Sequence, residues 1–186
     1  PPDTYMPFAN NVNIYINDGT STATVYNKFK KNPKWSDYTA KMLRYYETSE
    51  TPFGYSTLYL PFETVIPDGT TAYYARLIEG NQITLSPVSG TLPAQTASVI
   101  VSTPGPDRYK FVETIASSPT ISNNKLIGTA DGVTVTANSV MTLSNYNGIV
   151  GFYTYTGTSI GANKAYINKA NDAKSYSILI DNDTTT

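Results

Sequence analysis

Short runs of alternating apolar and polar residues, separated by turn residues, fill most of this chain and constrain its fold more than any other feature. Successive side chains of a strand point to opposite faces, so such runs predict strands with one buried face. In residues 12–16, for example, Val12, Ile14 and Ile16 fall on the same face. Many short strands at intervals of about 8–12 residues are typical of a sandwich or barrel. We therefore predict an all-β fold, an antiparallel β-sandwich of the jelly-roll or immunoglobulin-like type.

Turn residues divide the chain into the predicted strands. In Pro67-Asp68-Gly69, for example, the proline presets φ and the glycine accepts a positive φ. Residues 12–29 read as a β-hairpin around Asn17-Asp18-Gly19. The other predicted strands cover residues 55–60, 71–78, 82–88, 96–102, 108–115, 124–130, 133–136, 139–144, 149–156, 164–168 and 175–181. The predicted core consists of Leu58, Leu60, Ile83, Leu85, Val99, Val101, Phe111, Leu126, Leu143, Val150, Phe152 and Ile178.

One segment departs from this alternation. Between residues 36 and 47, Tyr38, Met42 and Tyr45 have helical spacing, and Ser36 is a suitable N-cap. This pattern predicts a short helix near 36–47. A strand over residues 39–46 is the alternative.

The sequence contains an internal echo. Residues 92–99 (LPAQTASV) resemble residues 160–167 (IGANKAYI), at an offset of 68 positions. Each copy has an apolar residue, a turn, an amide side chain and the start of a strand. The echo predicts that the two segments occupy similar places in two sheets or half-domains.

The composition excludes several kinds of chemistry. The chain of 186 residues has no His and no Cys, which removes thiolate nucleophiles, Ser-His-Asp triads and Cys/His zinc sites. Its net charge of −1 is unlike that of an electrostatic nucleic-acid binder. We therefore expect a protein that is not an enzyme, needs no cofactor and does not bind nucleic acid.

A change of composition near residue 50 suggests two regions. Six basic side chains lie between Lys28 and Arg44, whereas the remainder of the chain is mildly acidic. Residues 1–50 are predicted to be a hairpin plus a basic-aromatic segment, packed on the main domain or left from a preceding region. Residues 51–186 are predicted to be a β-sandwich module.

Carboxylates are the remaining conventional acid–base groups. Glu63 with Asp68, and Asp107 with Glu113, are the candidate acid pairs, but solvated loop acids explain both. Asp181-Asn182-Asp183 resembles the start of a calcium loop without its later glycine and glutamate. We predict no metal site, and a polar tail is the favoured interpretation there.

Aromatic side chains are the best candidates for ligand contacts. An indole ring can cover the apolar face of a sugar, which makes Trp35 a candidate together with Tyr38 from the same segment. Tyr153 and Tyr155 lie two positions apart and would share one face of a strand, with Phe152 pointing inward. The alternative for all four is ordinary packing, since tyrosine also favours strands.

A series of short motifs occurs in a fixed order between residues 55 and 168. They are LYLPF (58–62), IPDG (66–69), AYY (72–74), ITL (83–85), LPA (92–94), VIV (99–101), NKLIGT (124–129), VGFY (150–153) and ANKAYI (162–167). This order resembles a β-rich module common in cell-surface and secreted proteins of Bacteroidales, often near their C-termini. The chain departs from the pattern at Gly161 and near Ala97, where the module usually has proline. Both departures affect turn stiffness.

The resemblance implies a non-catalytic extracellular module of a bacterial surface protein, which serves cell adhesion or ligand display. Its expected partner is a host or bacterial surface protein or a glycan, with anchoring to the outer membrane through a lipid-anchored segment upstream. The module has no established catalytic residues to carry over. The alternative hypothesis is a carbohydrate-binding accessory domain of a secreted glycoside hydrolase, by analogy of fold.

Overall fold

A computed structural model describes residues 13–170 and 172–181 of the chain. In this part, the α-helix α1 spans Thr24–Lys31 and a 3-10 helix spans Pro33–Lys41. The strands are β1 Ile14–Asn17, β2 Met42–Glu47, β3 Tyr55–Leu58, β4 Thr64–Val65, β5 Thr70–Glu79, β6 Gln82–Pro87, β7 Thr91–Leu92, β8 Ser98–Ser102, β9 Lys110–Val112, β10 Ile127–Thr129, β11 Val133–Thr134, β12 Val140–Tyr146, β13 Ile149–Thr154, β14 Ser159–Ile160, β15 Lys164–Asn168 and β16 Ser175–Ile180. The protein is all-β with a short helix, as predicted.

The predicted hairpin over residues 12–29 is wrong. Strand β1 instead pairs in parallel with β2, and residues 24–31 form α1. Asp18 stabilises the first turn of this helix, because its carboxylate accepts a hydrogen bond from the backbone N–H of Tyr26 at 2.9 Å, and it also accepts one from the N–H of Thr20 at 3.2 Å in the preceding turn. Three lysines in the last turn of α1 favour its C-terminal end electrostatically. The alternating pattern of these residues predicts a strand, because it contains no information about the hydrogen bonds of Asp18 or the effect of the lysines on the helix end.

The short helix predicted near 36–47 is present, but it begins earlier and ends earlier. The 3-10 helix starts after Asn32, whose side chain accepts a hydrogen bond from Lys34 N at 3.0 Å, and not at Ser36. It ends at Lys41, and β2 follows, so the alternative of a strand is correct for residues 42–46. β2 pairs with β9, which joins this segment to residues beyond position 50.

The main sheet has nine strands in the order β10-β15-β12-β13-β16-β6-β5-β8-β3. It is nearly closed, because its last strand lies beside β15, where Ala165 N donates to Thr57 Oγ1 at 3.2 Å. All pairings within it are antiparallel except that of β16 with β6. Alternation predicts strands but not this parallel pairing.

The order of the nine strands is symmetric about β16. The half β3-β8-β5-β6 on one side matches the half β10-β15-β12-β13 on the other, and each half carries a two-stranded ribbon, β4-β7 or β11-β14. The residue pairs also match, since Val140 opposite Asn168 lies 68 positions after Ala72 opposite Ile100. The sequence echo therefore marks a duplicated unit, which we call the first repeat (β3–β8) and the second repeat (β10–β15).

Both repeats contribute to one core inside the sheet. This inner core contains Ala75, Ile83, Leu85, Ala97, Val99, Leu126, Met141, Phe152, Ala165, Ile167, Ala173 and Tyr176. A second cluster covers the outer face of the first repeat and includes Leu58, Leu60, Phe62, Ile100 and Phe111. Burial of these apolar surfaces is the main source of stability.

Eight of the predicted core residues are buried, namely Leu58, Leu60, Ile83, Leu85, Val99, Phe111, Leu126 and Phe152. The other four, Val101, Leu143, Val150 and Ile178, are half-buried.

Candidate functional site

Each repeat contains a gap where two paired strands separate. In the first repeat, the pairing of β5 with β8 ends at Tyr73 opposite Val99. In the second repeat, the pairing of β12 with β15 ends at Met141 opposite Ile167, which is the equivalent point 68 positions later. Beyond these points the two strands of each repeat diverge, and their backbone groups no longer pair with each other.

The gap of the first repeat is closed by Asn124. Its side-chain oxygen accepts a hydrogen bond from Ala75 N at 3.1 Å, and its side-chain nitrogen donates to Ala97 O at 2.7 Å. The next residue completes the closure, since Lys125 N donates to Ala75 O at 2.8 Å. Ala75 and Ala97 are consequently buried, at 0% and 3% exposure.

The gap of the second repeat remains open as a cleft of about 540 Å³ between β12, β15 and β3. This volume is within the usual range of small-ligand sites, about 300–1,000 Å³. Its walls carry mainly hydroxyl and aromatic side chains. The hydroxyl side chains among them are Thr48, Ser49, Ser56, Thr57, Thr142, Ser144 and Ser159, and the aromatic ones are Tyr46, Phe53, Tyr55 and Tyr155.

A fixed turn places Lys164 at this cleft. The preceding residue, Asn163, has φ 56°, in the left-handed region that asparagine tolerates better than most residues. Its side-chain nitrogen donates to Gly19 O at 2.6 Å and to Tyr59 O at 3.1 Å. These bonds hold the turn, so β15 begins at Lys164 in a defined orientation.

The Lys164 side chain is a half-buried cation that forms no ion pair with any described residue. Burial lowers the pKa of its ammonium below the ordinary value for lysine. Burial likewise raises the pKa of the Tyr46 hydroxyl. Glu50 also lines the cleft, but it is exposed and lies 3.7 Å from the Arg108 guanidinium. The cleft therefore has an uncompensated positive charge at Lys164.

Two further polar groups shape the cleft. The Tyr155 hydroxyl donates to Ser159 O at 2.8 Å, which fixes the ring at the wall. Ser56 Oγ is buried and has no hydrogen-bond partner among the described residues. A buried hydroxyl without a partner is uncommon in folded proteins. Ser56 Oγ is itself inaccessible from the cleft, so the hydrogen-bonding capacity of the cleft comes from exposed hydroxyl side chains such as Ser144 and Ser159.

The four residues predicted from sequence to contact ligand are not brought together. Trp35 and Tyr38 lie against one another near the N-terminus, with ring centroids 6.2 Å apart, and Tyr38 is only 6% exposed. Both belong to a small cluster with Ile16 and Met42. Their role as ligand contacts stays a prediction, and their surroundings are those of packed side chains.

Tyr153 and Tyr155 also separate. Tyr153 packs against Tyr146, with centroids 5.8 Å apart, and its hydroxyl donates to Ile149 O at 3.1 Å. Of the four predicted residues, Tyr155 lines the cleft. Phe152 points into the inner core, as predicted.

The acid pairs considered from sequence have ordinary environments. Glu113 forms a two-point ion pair with Arg44, at 2.8 and 3.1 Å, while Asp107 and Asp68 are exposed. Asp181 pairs with Arg76 at 2.8 Å, and the rest of the possible calcium loop, Asn182 and Asp183, lies outside the described residues. Among residues 13–170 and 172–181, no three acidic side chains are grouped closely enough to hold a metal ion.

Sequence reasoning missed the cleft and its Lys164, although one signal was present. When the two copies of the echo are aligned, Lys164 corresponds to Thr96, and Asn163 corresponds to Gln95, which also has a left-handed φ of 57°. Because the two copies form the same turn and strand, a cation in only one of them is not needed for the fold and is therefore a signal of function. What the echo could not reveal is that one gap is closed by Asn124 and the other remains open.

Comparisons with known proteins give no identification. No protein-family model, no curated protein and no solved structure matches the chain. Within the described segments, neither helix has the length and apolar character needed to cross a bilayer.

Proposed function

We propose that this chain is a non-catalytic, extracellular ligand-recognition module of a bacterial surface protein, and that it binds a glycan in the cleft of the second repeat. The observation that carries the proposal is the contrast between two equivalent gaps. One is closed by Asn124, and the other is an open cleft of about 540 Å³ lined by hydroxyl and aromatic side chains. In this duplicated scaffold, the gap that stays open offers a site for a small polar ligand.

The lining of the cleft supports binding and gives no support to hydrolysis. Sugars are recognised by hydroxyl and amide partners together with aromatic faces, and all of these are available here. Hydrolysis of a glycosidic bond usually needs two facing carboxyl groups. Glu50 is the one carboxylate on the described walls of the cleft, and Arg108 lies close to it.

The surface location and the adhesive role rest on the resemblance of residues 55–168 to modules of Bacteroidales surface proteins. The low content of charged residues, 15%, is consistent with a surface that binds through polar uncharged groups. The proposed partners are a host or bacterial surface glycan, or a glycoprotein that carries it.

A glycan array with the purified chain tests the proposal, followed by titration calorimetry of the best ligand. Tyr155→Ala removes an aromatic wall of the cleft, and we expect it to weaken binding about tenfold. Tyr153→Ala is the matched control, because its ring packs on Tyr146 and is not part of the cleft lining. Absence of binding to every arrayed glycan, or equal loss in both variants, would refute glycan recognition in the cleft.

A carbohydrate-binding accessory domain of a glycoside hydrolase is the second candidate, favoured by the same sugar-compatible walls. It predicts retention on soluble plant or microbial polysaccharides in an affinity gel rather than binding to host-type glycans. The Tyr155→Ala and Tyr153→Ala pair serves in this experiment as well. Trp35→Ala tests whether the N-terminal aromatic cluster is the binding surface instead, in which case this variant would lose retention.

A further inference from the structure

The closed gap shows which chemical group fits between the separated strands. There, the amide of Asn124 lies between β5 and β8 and satisfies one backbone group on each strand, the N–H of Ala75 and the C=O of Ala97. An amide suits this position because it carries one strong acceptor and one strong donor.

The same two backbone positions exist in the open cleft. Leu143 and Ala165 lie 68 positions after Ala75 and Ala97, and both line the cleft. Lys169 N donates to Ser139 O at 3.0 Å, on the side of β12 that faces β15. Since the direction of backbone groups alternates along a strand, the N–H of Leu143 points to that same side.

The backbone of Ala165 also faces the gap. Its N–H already donates to Thr57 Oγ1 at 3.2 Å, across the space between β15 and β3. In an antiparallel strand the N–H and C=O of one residue point to the same side, so the Ala165 C=O faces the gap as well. Leu143 N–H and Ala165 C=O thus form a donor and an acceptor on two opposite walls.

We infer that the cleft binds a saccharide that carries an acetamido group, whose carbonyl oxygen accepts from Leu143 N–H and whose N–H donates to Ala165 C=O. A trans secondary amide directs its N–H and C=O to opposite sides, as two facing strands require. The sugar ring then lies among the hydroxyl side chains and beside Tyr155. This inference rests on the proposed glycan binding and specifies the class of sugar.

A peptide could supply the same amide, and the walls decide against it. Hydroxyl side chains from three separate parts of the chain, such as Thr48, Thr142 and Ser159, surround the gap and match a polyhydroxylated ring. Lys164 adds a donor without an acceptor of its own among the described residues. One peptide unit has a single N–H and a single C=O, which are too few to form hydrogen bonds with all of these hydroxyl groups and Lys164.

The test is an NMR titration of the uniformly ¹⁵N-labelled chain with N-acetylglucosamine, N-acetylgalactosamine, glucose and glucuronate. We expect saturable downfield shifts of the Leu143 amide and slower exchange of its proton with the two acetamido sugars. Glucose and glucuronate should bind at least about tenfold more weakly. They lack the acetamido group and leave Leu143 N–H and Ala165 C=O unpaired, which loses about one hydrogen bond.

A blocking variant locates the binding. Gly161 lines the cleft and is exposed, and a Cβ added to it would meet no atom within 4 Å, so Gly161→Trp should fill the cleft without disturbing the fold. We expect it to abolish binding of N-acetylglucosamine. Ala170→Trp, at an exposed loop position outside the cleft, is the matched control and should bind as the unmodified chain does.

The outcomes separate this inference from the proposed function. Equal binding of glucose and N-acetylglucosamine in the cleft would overturn the acetamido inference and leave glycan binding intact. Preference for glucuronate would assign the site to Lys164 and a carboxylate and would also overturn it. If N-acetyl-asparagine amide shifts Leu143 while all sugars are silent, the ligand is a peptide and both statements fail. If Gly161→Trp leaves the binding of N-acetylglucosamine unchanged, the acetamido group does not bind in this cleft.

Discussion

Replacement of Asn124 by alanine tests the interpretation of the closed gap. The side chain makes three hydrogen bonds to the backbone, accepting from Ala75 N and Leu126 N, both at 3.1 Å, and donating to Ala97 O at 2.7 Å. Asn124→Ala removes all three and leaves the N–H of Ala75 and the C=O of Ala97 without partners in a buried environment.

The expected loss of stability follows from these bonds. A hydrogen bond contributes about 1 kcal/mol net, and a buried backbone group left without a partner costs about 1–3 kcal/mol. For three bonds, each to a backbone group of a buried residue, we expect a decrease in the free energy of unfolding of about 3 kcal/mol. With an m-value of about 2 kcal/mol/M, the urea midpoint would fall by about 1.5 M.

Urea denaturation followed by tyrosine and tryptophan fluorescence measures this shift. Lys125→Ala is the control, because the Lys125 side chain is exposed and its backbone N–H, which bonds to Ala75 O, is retained. This control should change the free energy of unfolding by less than about 0.5 kcal/mol. A loss below about 1 kcal/mol for Asn124→Ala, with an unchanged m-value, would refute the claim that this amide closes the gap.

Three further substitutions have expected outcomes. Arg44→Met breaks the two-point pair with Glu113, whose side chains are 14% and 19% exposed, and should cost about 3 kcal/mol in urea denaturation; a pair this buried should lose little of that effect in 1 M NaCl, and a cost that vanishes in salt would contradict it. Lys164→Met removes a desolvated cation and should raise Tm at pH 7. Because folding lowers the pKa of Lys164, the unmodified chain gains stability as the pH rises toward the unfolded-state pKa of 10.5, and the difference in Tm between the two chains should shrink over that range. A difference in Tm that stays constant with pH would contradict the desolvation of Lys164. Gly128→Ala places a Cβ against the ring of Tyr59 and should destabilise by about 1–3 kcal/mol, with recovery in the double variant that also carries Tyr59→Ser; an additive double variant would rule out this clash.

Most strands of the repeats could be predicted from the sequence, because each has at least one face in an apolar cluster. Strands such as β6 and β15 alternate or are continuously apolar, and turn residues with positive φ, such as Gly69 and Asn147, separate them. The two-residue strands β4, β7 and β14 were not predicted, since two residues carry no periodicity. The error at α1 arose because the side chain that stabilises its first turn, Asp18, lies eight positions before Tyr26, to which it bonds, and the N-cap position is Ala23, which gives no cap signal.

The candidate site was much less accessible from sequence. The aromatic residues singled out as ligand contacts, Trp35, Tyr38 and Tyr153, are amphipathic residues that pack equally well, and packing is what surrounds them. The cleft depends on Leu143 and Ala165, whose side chains carry no functional group. Their importance is in backbone groups that become available only where two strands diverge.

The sequence by itself determined that this chain forms many short strands, carries an echo of one segment at an offset of 68 positions and lacks histidine and cysteine chemistry. These properties follow from local alternation, turn residues and composition, which need no knowledge of distant contacts. Only the tertiary structure decided that β16 lies between the two repeats, that Asn124 closes the gap of the first repeat and that the gap of the second repeat stays open. The physical reason is that strand order and gap closure depend on hydrogen bonds between residues far apart in the chain, which leave no local pattern.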